Sequence, residues 1–452
     1  MRDQLRKVIS GKRADFLEIR WEEEDITSLA LSGLDVDEVA KLQNSVGNVR
    51  ALVDGVWGFV AFRRGDRLED CVDQAISIAK HAGKKRRELA PVAPVIATLA
   101  AELDGDPRSI DLQTKLELIE NYAGLAIGAH PNISNVLSRY QDVFQRRFYL
   151  NSEGSDILQE KCYLNASFTL IARHQDVLET YFTGANSVNG YNDLLNQEDK
   201  LQQAVDRAAA MAEAPLVQSG TYPVIMDPSM AGLFIHEAFG HLSEGDEIHE
   251  NEHLRSTMAL GTRFASPILS VSDGGSIPGL HGSYAYDDEG TPSTKTRLIS
   301  NGVLSGRLHN RETAGSMEEA VTGNARAINY QYPPLVRMTN TCIEPGTSSF
   351  AEMLRGIPLG LFIRGLKGGT TMKEMFTFAA QEAFMIRNGQ VAERVRGAVL
   401  TGNVFKTLRS IDAVANDFRW SFSYCGKGGQ WMIPVGMGGP SIRIQDVVVG
   451  GR

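Results

Sequence analysis

Two histidines and a glutamate in the stretch "MDPSMAGLFIHEAFGHLSEGDEIHEN" are the residues of this chain best suited to chemistry. His236, Glu237 and His241 spell H-E-x-x-x-H, one residue longer than the H-E-x-x-H of many zinc peptidases. In the shorter motif two histidines four apart share a helix face and one ion, and the glutamate acts as general base. Five apart on a regular α-helix, at about 100° per residue, the two imidazoles diverge by about 140°. A π-type turn, bonded i→i+5, returns them to one face. Metal binding therefore requires a bulge or break between His236 and His241, which Gly240 would ease. The competing reading is two hydrogen-bonded or surface histidines. Apolar "AGLFI" before His236 and acidic residues after His241 favour a helix buried at one end and open to a cleft at the other. Glu237 is then the candidate base that takes the proton of the attacking water.

A catalytic zinc needs three protein ligands and one open position. Candidates for the third are Glu244, Asp246, His249, Glu250 and His253 nearby, and Cys342 and Cys425 far along the chain. His249 and His253 are four apart and could pair, although a polar, solvent-facing helix explains them as well. Cys425 lies in "SFSYCGKGGQW", where glycines would let backbone and thiolate approach an ion; the alternative is a small buried cysteine in a tight turn. "CGKGG" lacks the spacing of a phosphate loop. "YDDEG", Tyr286 to Gly290, reads as an acidic turn between strands before any role at a site. In "TGNARAINY", Asn324 or Arg326 could serve a substrate groove, but a surface ion pair is the simpler reading of Arg326.

The elements that must position these residues fall into two textures. Strand-like alternation in "ADFLEIRWEE" and "NVRALVDGVWGFVAF" precedes a helix, "RLEDCVDQAISIAKHAG", stopped by Gly83. A second helix, "DLQTKLELIENYAGLAIG", is followed by strands in "NVLSRYQDVFQRRFYLNSEG" and "EKCYLNASFTLIARHQDVLETYF", and by a helix in "KLQQAVDRAAAMAEA". Beyond residue 215 glycines and short strands dominate. Asn301-Gly302 marks a type I′ hairpin, and "ILSVSDG", "LVRMTNTCIEPG", "GLFIRGLKGG" and "IRIQDVVVGG" read as further strands. One clear helix interrupts them, with Asp227 as N-cap and Pro228 as its first residue, and it carries the histidines. The expectation is an α+β protein. Residues 1–215 form an N-terminal domain of antiparallel strands with helices, and residues 216–452 a β-rich catalytic domain with a motif helix.

A length of 452 residues suits two or three domains. The net charge of −9 argues against nucleic-acid binding. Four scattered cysteines fit a reducing compartment. The basic N-terminus has no apolar stretch of signal-peptide type, and no apolar run spans a bilayer. A cytoplasmic protein is expected.

Four separated motifs, "HEAFGHLSEGD", "YDDEGTPSTKTRLISNGVLSGRLHN", "TGNARAINYQYPPLVRMTNTCIEPG" and "CGKGGQWMIPVG", occur in the order that resembles the TldD/PmbA family of metallopeptidases, in its TldD-type branch. The resemblance is dense over residues 220–452 and rests on layout before them. It implies one zinc per active subunit, held by His236, His241 and Cys425, with Glu237 as base; it is the resemblance that selects Cys425. The TldE/PmbA branch lacks the zinc motif, so its retention here implies the active role. Also implied are small or unfolded peptides as substrates, no cofactor besides zinc, and a TldE/PmbA-type partner in a heterodimer, with a homodimer as the alternative. The β-rich half invites substrate binding as an added strand. The competing functions are a metal-dependent hydrolase of other amides, and a scaffold subunit of a protease complex with a vestigial site.

Overall fold

Alternation along the first long strand shows how the two halves of the chain meet. In the computed structural model, which describes residues 2–83, 87–372 and 374–451, Leu17, Ile19 and Trp21 point to one face and Glu18, Arg20 and Glu22 to the other, all six buried. The apolar face packs on helices. The charged face packs on the C-terminal half.

The strands before residue 216 are β1 (Phe16–Ser32), β2 (Asp35–Val53), β3 (Val56–Arg63), β4 (Ile96–Leu99), β5 (Ile133–Asn151), β6 (Asp156–His174) and β7 (Val177–Ser187). They form one sheet in the order β3-β2-β1-β5-β6, with β4 and β7 sharing the far side of β6. Helices α1 (Arg2–Ile9), α2 (Leu68–His81), α3 (Leu112–Gly128) and α4 (Glu198–Glu213) cover its apolar face. Cys71, Val72, Ala75, Ile76 and Ala79 make the buried stripe of α2 at helical spacing. Gly83, at φ +102°, ends the run as the sequence predicts. Residues 22–32 and 35–47, where polar and charged residues weaken the strand signal, are nonetheless strand, with Gly33 and Leu34 at the turn. They continue β1 and β2 into one long hairpin whose register is set by the apolar residues nearer its base.

The remaining strands are β8 (Gly220–Met226), β9 (Val271–Gly274), β10 (Lys295–Ser300), β11 (Val303–Leu304), β12 (Ala325–Arg326), β13 (Leu335–Val336), β14 (Asn340–Ile343), β15 (Leu359–Met372), β16 (Met375–Arg387), β17 (Gln390–Val395), β18 (Ala398–Asn403), β19 (Ile411–Val414), β20 (Arg419–Lys427), β21 (Gln430–Gly439) and β22 (Ile442–Gly451). One sheet runs β11-β10-β9-β14-β21-β20. Another runs β15-β8-β22-β18-β16 and closes on itself through β15–β16. Asn301 and Gly302 have the two positive φ values of the hairpin turn read from sequence. The motif helix α5 (Pro228–Ile235) is wedged among β14, β15, β20 and β21, and its Met230 to Ile235 are all buried. Further helices of five to seven residues, Gly245–Glu250, Glu252–Thr257, Arg311–Met317, Phe350–Leu354 and Val404–Arg409, break the β-rich half where one helix was expected. They are too short to show a helical period. The architecture is α+β.

The "YDDEG" segment is not an exposed acidic turn. Asp287, Asp288 and Glu289 are buried and lock the halves together. Asp288 pairs with Arg20 at 3.0 Å and with Arg147, and Glu289 pairs with Arg50 at 2.8 Å. Asp287 accepts the backbone N–H groups of Glu289, Thr291 and Ala325. Removing one partner from a buried network leaves the others desolvated and uncompensated. Asp288→Ala is therefore expected to lower unfolding free energy by about 3–5 kcal/mol in urea titration. Removing the exposed Arg387–Glu393 pair should change it by about 1 kcal/mol or less.

Candidate metal centre

The centre begins at a helix start that the sequence specifies locally. The Asp227 carboxylate accepts the Met230 N–H at 2.9 Å, and Pro228 occupies the first turn, where its missing N–H is harmless. The apolar residues that follow bury α5 on every side. The helix then widens: residues His236–Gly240 form a π turn, and the N–H of His241 donates to the His236 carbonyl, i→i+5. This is the distortion that H-E-x-x-x-H demands. A short 3₁₀ turn, His241–Ser243, ends the segment. Gly240 contributes differently from expectation. Its backbone has ordinary helical angles (φ −55°), and what it supplies is space, because a Cβ there would sit 2.0 Å from Met338 Sδ.

Cys425 arrives from β20, 184 residues beyond His241. Its thiol is buried against α5. The sulfur lies 3.2 Å from His236 Nε2 and 3.3 Å from His241 Nε2, and the two rings are 5.3 Å apart at 82°. The three donor atoms fall within 4.8 Å of one another. Gly428 and Gly429, with φ +58° and +78°, serve the β20–β21 turn rather than the approach to an ion.

The electrostatics of this trio suit a cation. Burial alone would raise the Cys425 thiol, but His236 and His241 overcome it and bring it down to about 4. The neighbouring imidazoles thus favour the thiolate form of Cys425. Two imidazoles and a thiolate are a donor set that fits zinc, and separations near 3.2 Å match neighbouring ligands on one ion at about 2.0–2.3 Å.

Outer partners fix one ligand firmly. His241 Nδ1 is 3.1 Å from the Glu244 carboxylate, leaving Nε2 directed at the sulfur. Glu244 is fully buried, accepts the Met338 N–H, and pairs with Lys427 Nζ at 2.9 Å. Burial opposes its charge, yet Lys427 and His241 hold it down to about 2. Lys427 also pairs with Asp246 at 2.6 Å. His236 Nδ1 is buried with no hydrogen-bond partner among the described residues.

A cavity of about 610 Å³ opens on this cluster. Glu237 and His241 form its base, Gly369 to Thr371 of β15 one wall, and Tyr424 to Lys427 of β20 the other, with the exposed Trp431 and Met432 at its rim. Glu237 has no hydrogen bond or ion pair among the described residues and faces this space.

The other candidates lie elsewhere. Glu244 and Asp246 belong to the outer layer just described. His249 meets Arg255 across two short helices, and His253 is exposed, so neither joins the trio. Glu250 is exposed. Cys342 is buried in β14, its thiol pushed up to about 12 by burial. Arg326 is not a surface ion pair: it is buried, and donates to the carbonyls of Met338 and Pro434. Asn324 bonds Asp273 and the Arg337 carbonyl. Lys427 carries no role in the sequence reading, where its motif is read for Cys425, for the family resemblance and against a phosphate loop. That reading also missed the link from His241 to Glu244, for which the i, i+3 spacing was the available signal.

Sequence and structure comparisons place this geometry among known proteins. The chain matches the PmbA/TldA metallopeptidase domain 1 over residues 17–79, the central domain over 105–214 and the C-terminal domain over 219–451. It is 45% identical over 441 residues to a metalloprotease of Synechocystis sp., covering 97% of this chain and 95% of that protein. To a zinc metalloprotease TldD homolog of Saccharolobus solfataricus it is 30% identical over 343 residues, 75% of this chain and 76% of that one. The crystal structure of TldE from Thermococcus kodakarensis superposes with a TM-score of 0.76 at 18% identity, covering 99% and 98% of the two chains, a likeness of fold. The chain belongs to the PmbA/TldA, or TldD/PmbA, family of metallopeptidases.

Proposed function

We propose that this protein is a zinc-dependent peptidase of the active TldD type, acting on small or unfolded peptides, with His236, His241 and Cys425 as the zinc ligands and Glu237 as general base. The observation that carries this reading is the convergence of two imidazoles and a thiolate within 4.8 Å at the floor of an open cavity. Zinc held there supplies Lewis acidity to the scissile carbonyl and to water. The chain's own residues do the rest. Glu237, unengaged by other side chains, takes the water proton and passes it to the leaving amine nitrogen. Glu244 and Lys427 keep His241 in one tautomer and orientation. Residues 1–215 act as the N-terminal domain and 216–452 as the catalytic domain.

Substrate joins as a strand in this reading. β20 is the last strand of its sheet, and β15 beyond Ile363 pairs only with β16. Two open edges thus flank the centre, ready to hydrogen-bond an extended peptide through its main chain. The likeness to TldE supports a TldE-type partner subunit that completes the enclosure in a heterodimer. A cytoplasmic setting accords with four free cysteines, and no helix among the described residues is long and apolar enough to cross a membrane.

Glu237→Ala should keep stoichiometric zinc by elemental analysis while peptide cleavage falls by about 10²–10⁴-fold. Full activity in that variant would remove Glu237 from the mechanism. A panel of unfolded peptides against small amides, assayed with and without a TldE-type subunit, separates peptidase from other amide hydrolase; inertness toward every peptide would refute the reading. Glu244→Gln is expected to weaken zinc about 10–100-fold in competition with a chromophoric chelator. Unchanged affinity would detach Glu244 from the centre.

A further inference from the structure

A second cavity, of about 540 Å³, lies at the opposite end of α5 and is lined by the same three elements as the first. At the metal end these are Glu237 and His241, Gly369 to Thr371 of β15, and Tyr424 to Lys427 of β20. At the far end they are Asp227 and Ser229 at the start of α5, Arg364 to Leu366 of β15, and Arg419 to Ser423 of β20. All three elements therefore pass from one cavity to the other in the same direction. Both cavities lie between the edges of β15 and β20 with the buried α5 beneath, and an extended chain laid along those edges as a groove would reach from one to the other.

The far end is cationic in a chain of net charge −9. Lys200 and Arg207 of α4 reach it from one side, Arg364 and Arg419 from the other. Two carboxylates lie close, and both are occupied. Asp227 caps α5 through Met230 and Ser229. Glu382, buried beneath, is bound by Arg364 at 2.8 Å and neighbours Arg207 at 4.0 Å. That leaves Lys200, which donates only to the Gly184 carbonyl, and Arg419, whose guanidinium has no partner among the described residues. Both are exposed.

We propose that this basic end binds a carboxylate of the bound peptide, from an acidic side chain or from the C-terminus, about four to six residues from the scissile bond. The spacing follows from β20, where Arg419 precedes Cys425 by six residues, about 20 Å of extended chain at ~3.3 Å per residue. Main-chain pairing along the edges is indifferent to sequence, so this charge is what sets the peptide's place in the groove. A C-terminal carboxylate there makes the peptide antiparallel to β20. The inference rests on the peptidase reading and names its substrate preference.

The test uses the full-length chain as purified and one unstructured, N-terminally labelled peptide. The peptide is made as the C-terminal amide, as the free acid, and as amides carrying a single Asp stepped along the sequence. Binding is read by fluorescence anisotropy before cleavage is detectable, and the cleaved bond is then located by mass spectrometry. A carboxylate four to six residues beyond that bond should tighten binding about 5-fold over the neutral amide. The gain should shrink in high salt, vanish in Lys200→Gln/Arg419→Gln and persist in Lys200→Arg. Improvement confined to the free acid assigns the site to the C-terminus; improvement by internal Asp assigns it to side chains. Equal binding of acid, Asp-bearing and neutral peptides, a preference independent of position, or one that survives in the double variant overturns the proposal. Cleavage without any preference leaves the peptidase reading standing alone. A positioned preference without cleavage leaves the groove assignment standing and removes the peptidase reading.

Discussion

The i→i+5 hydrogen bond from His241 to His236 governs where two imidazoles point, and much of the surrounding structure can be understood as support for that one wide turn. A π turn interrupts the i→i+4 ladder of the helix it widens, and neighbours on every side hold it in place. Here α5 is buried on all sides before the turn, and Met338 fills the space that a Cβ on Gly240 would claim. After the turn, Glu244 ties His241 to Lys427 and to the Met338 backbone. Strands pack around the helix, Met338 between β13 and β14 meets both the turn and Glu244, and Lys427 of β20 holds the segment that follows.

Charge is arranged in two nested layers around this turn. In the inner layer a buried thiolate is balanced by imidazoles. In the outer layer a buried carboxylate is balanced by Lys427, two residues beyond Cys425 on the same strand. β20 thus brings both a candidate ligand and the counter-ion of the other ligand's partner. A second buried network, around Asp288, Arg20 and Arg147, holds the N-terminal sheet against the C-terminal half. Its β7 and α4 line the second cavity. The halves are therefore joined by paired charges rather than by a shared apolar core, which explains why charged residues alternate with core residues along β1.

Most elements were legible because burial repeats with the local period. The stripe on α2, the cap at Asp227 and the Asn301-Gly302 hairpin each depend on residues within a few positions of one another. The failures share a cause as well. The β1–β2 hairpin runs through the largely polar residues 22–47, whose Leu29 and Leu31 find their core against α3, β5 and β6, distant in sequence. "YDDEG" reads as an acidic turn and Arg326 as a surface ion pair because charged residues usually face water. Their partners, Arg20, Arg50, Arg147 and the carbonyls of Met338 and Pro434, come from distant segments that no local pattern announces.

Read alone, the amino-acid order determined that two histidines five apart, beside a glutamate, could serve one ion only on a widened helical turn. That follows from the fixed angular step of a helix. It also determined the capped start of that helix and the family to which the motifs belong. It did not determine by spacing which distant residue completes the trio, since Cys342 and Cys425 were equally eligible. Tertiary structure separated them: β14 and β20 both pack on α5, but it is Cys425 whose sulfur comes within 3.2 and 3.3 Å of the two imidazoles. The outer pair of Glu244 and Lys427, and the cavity between β15 and β20, arose in the same way. Side chains far apart in sequence acquire shared geometry only when sheet pairing and core packing have fixed the distances between them.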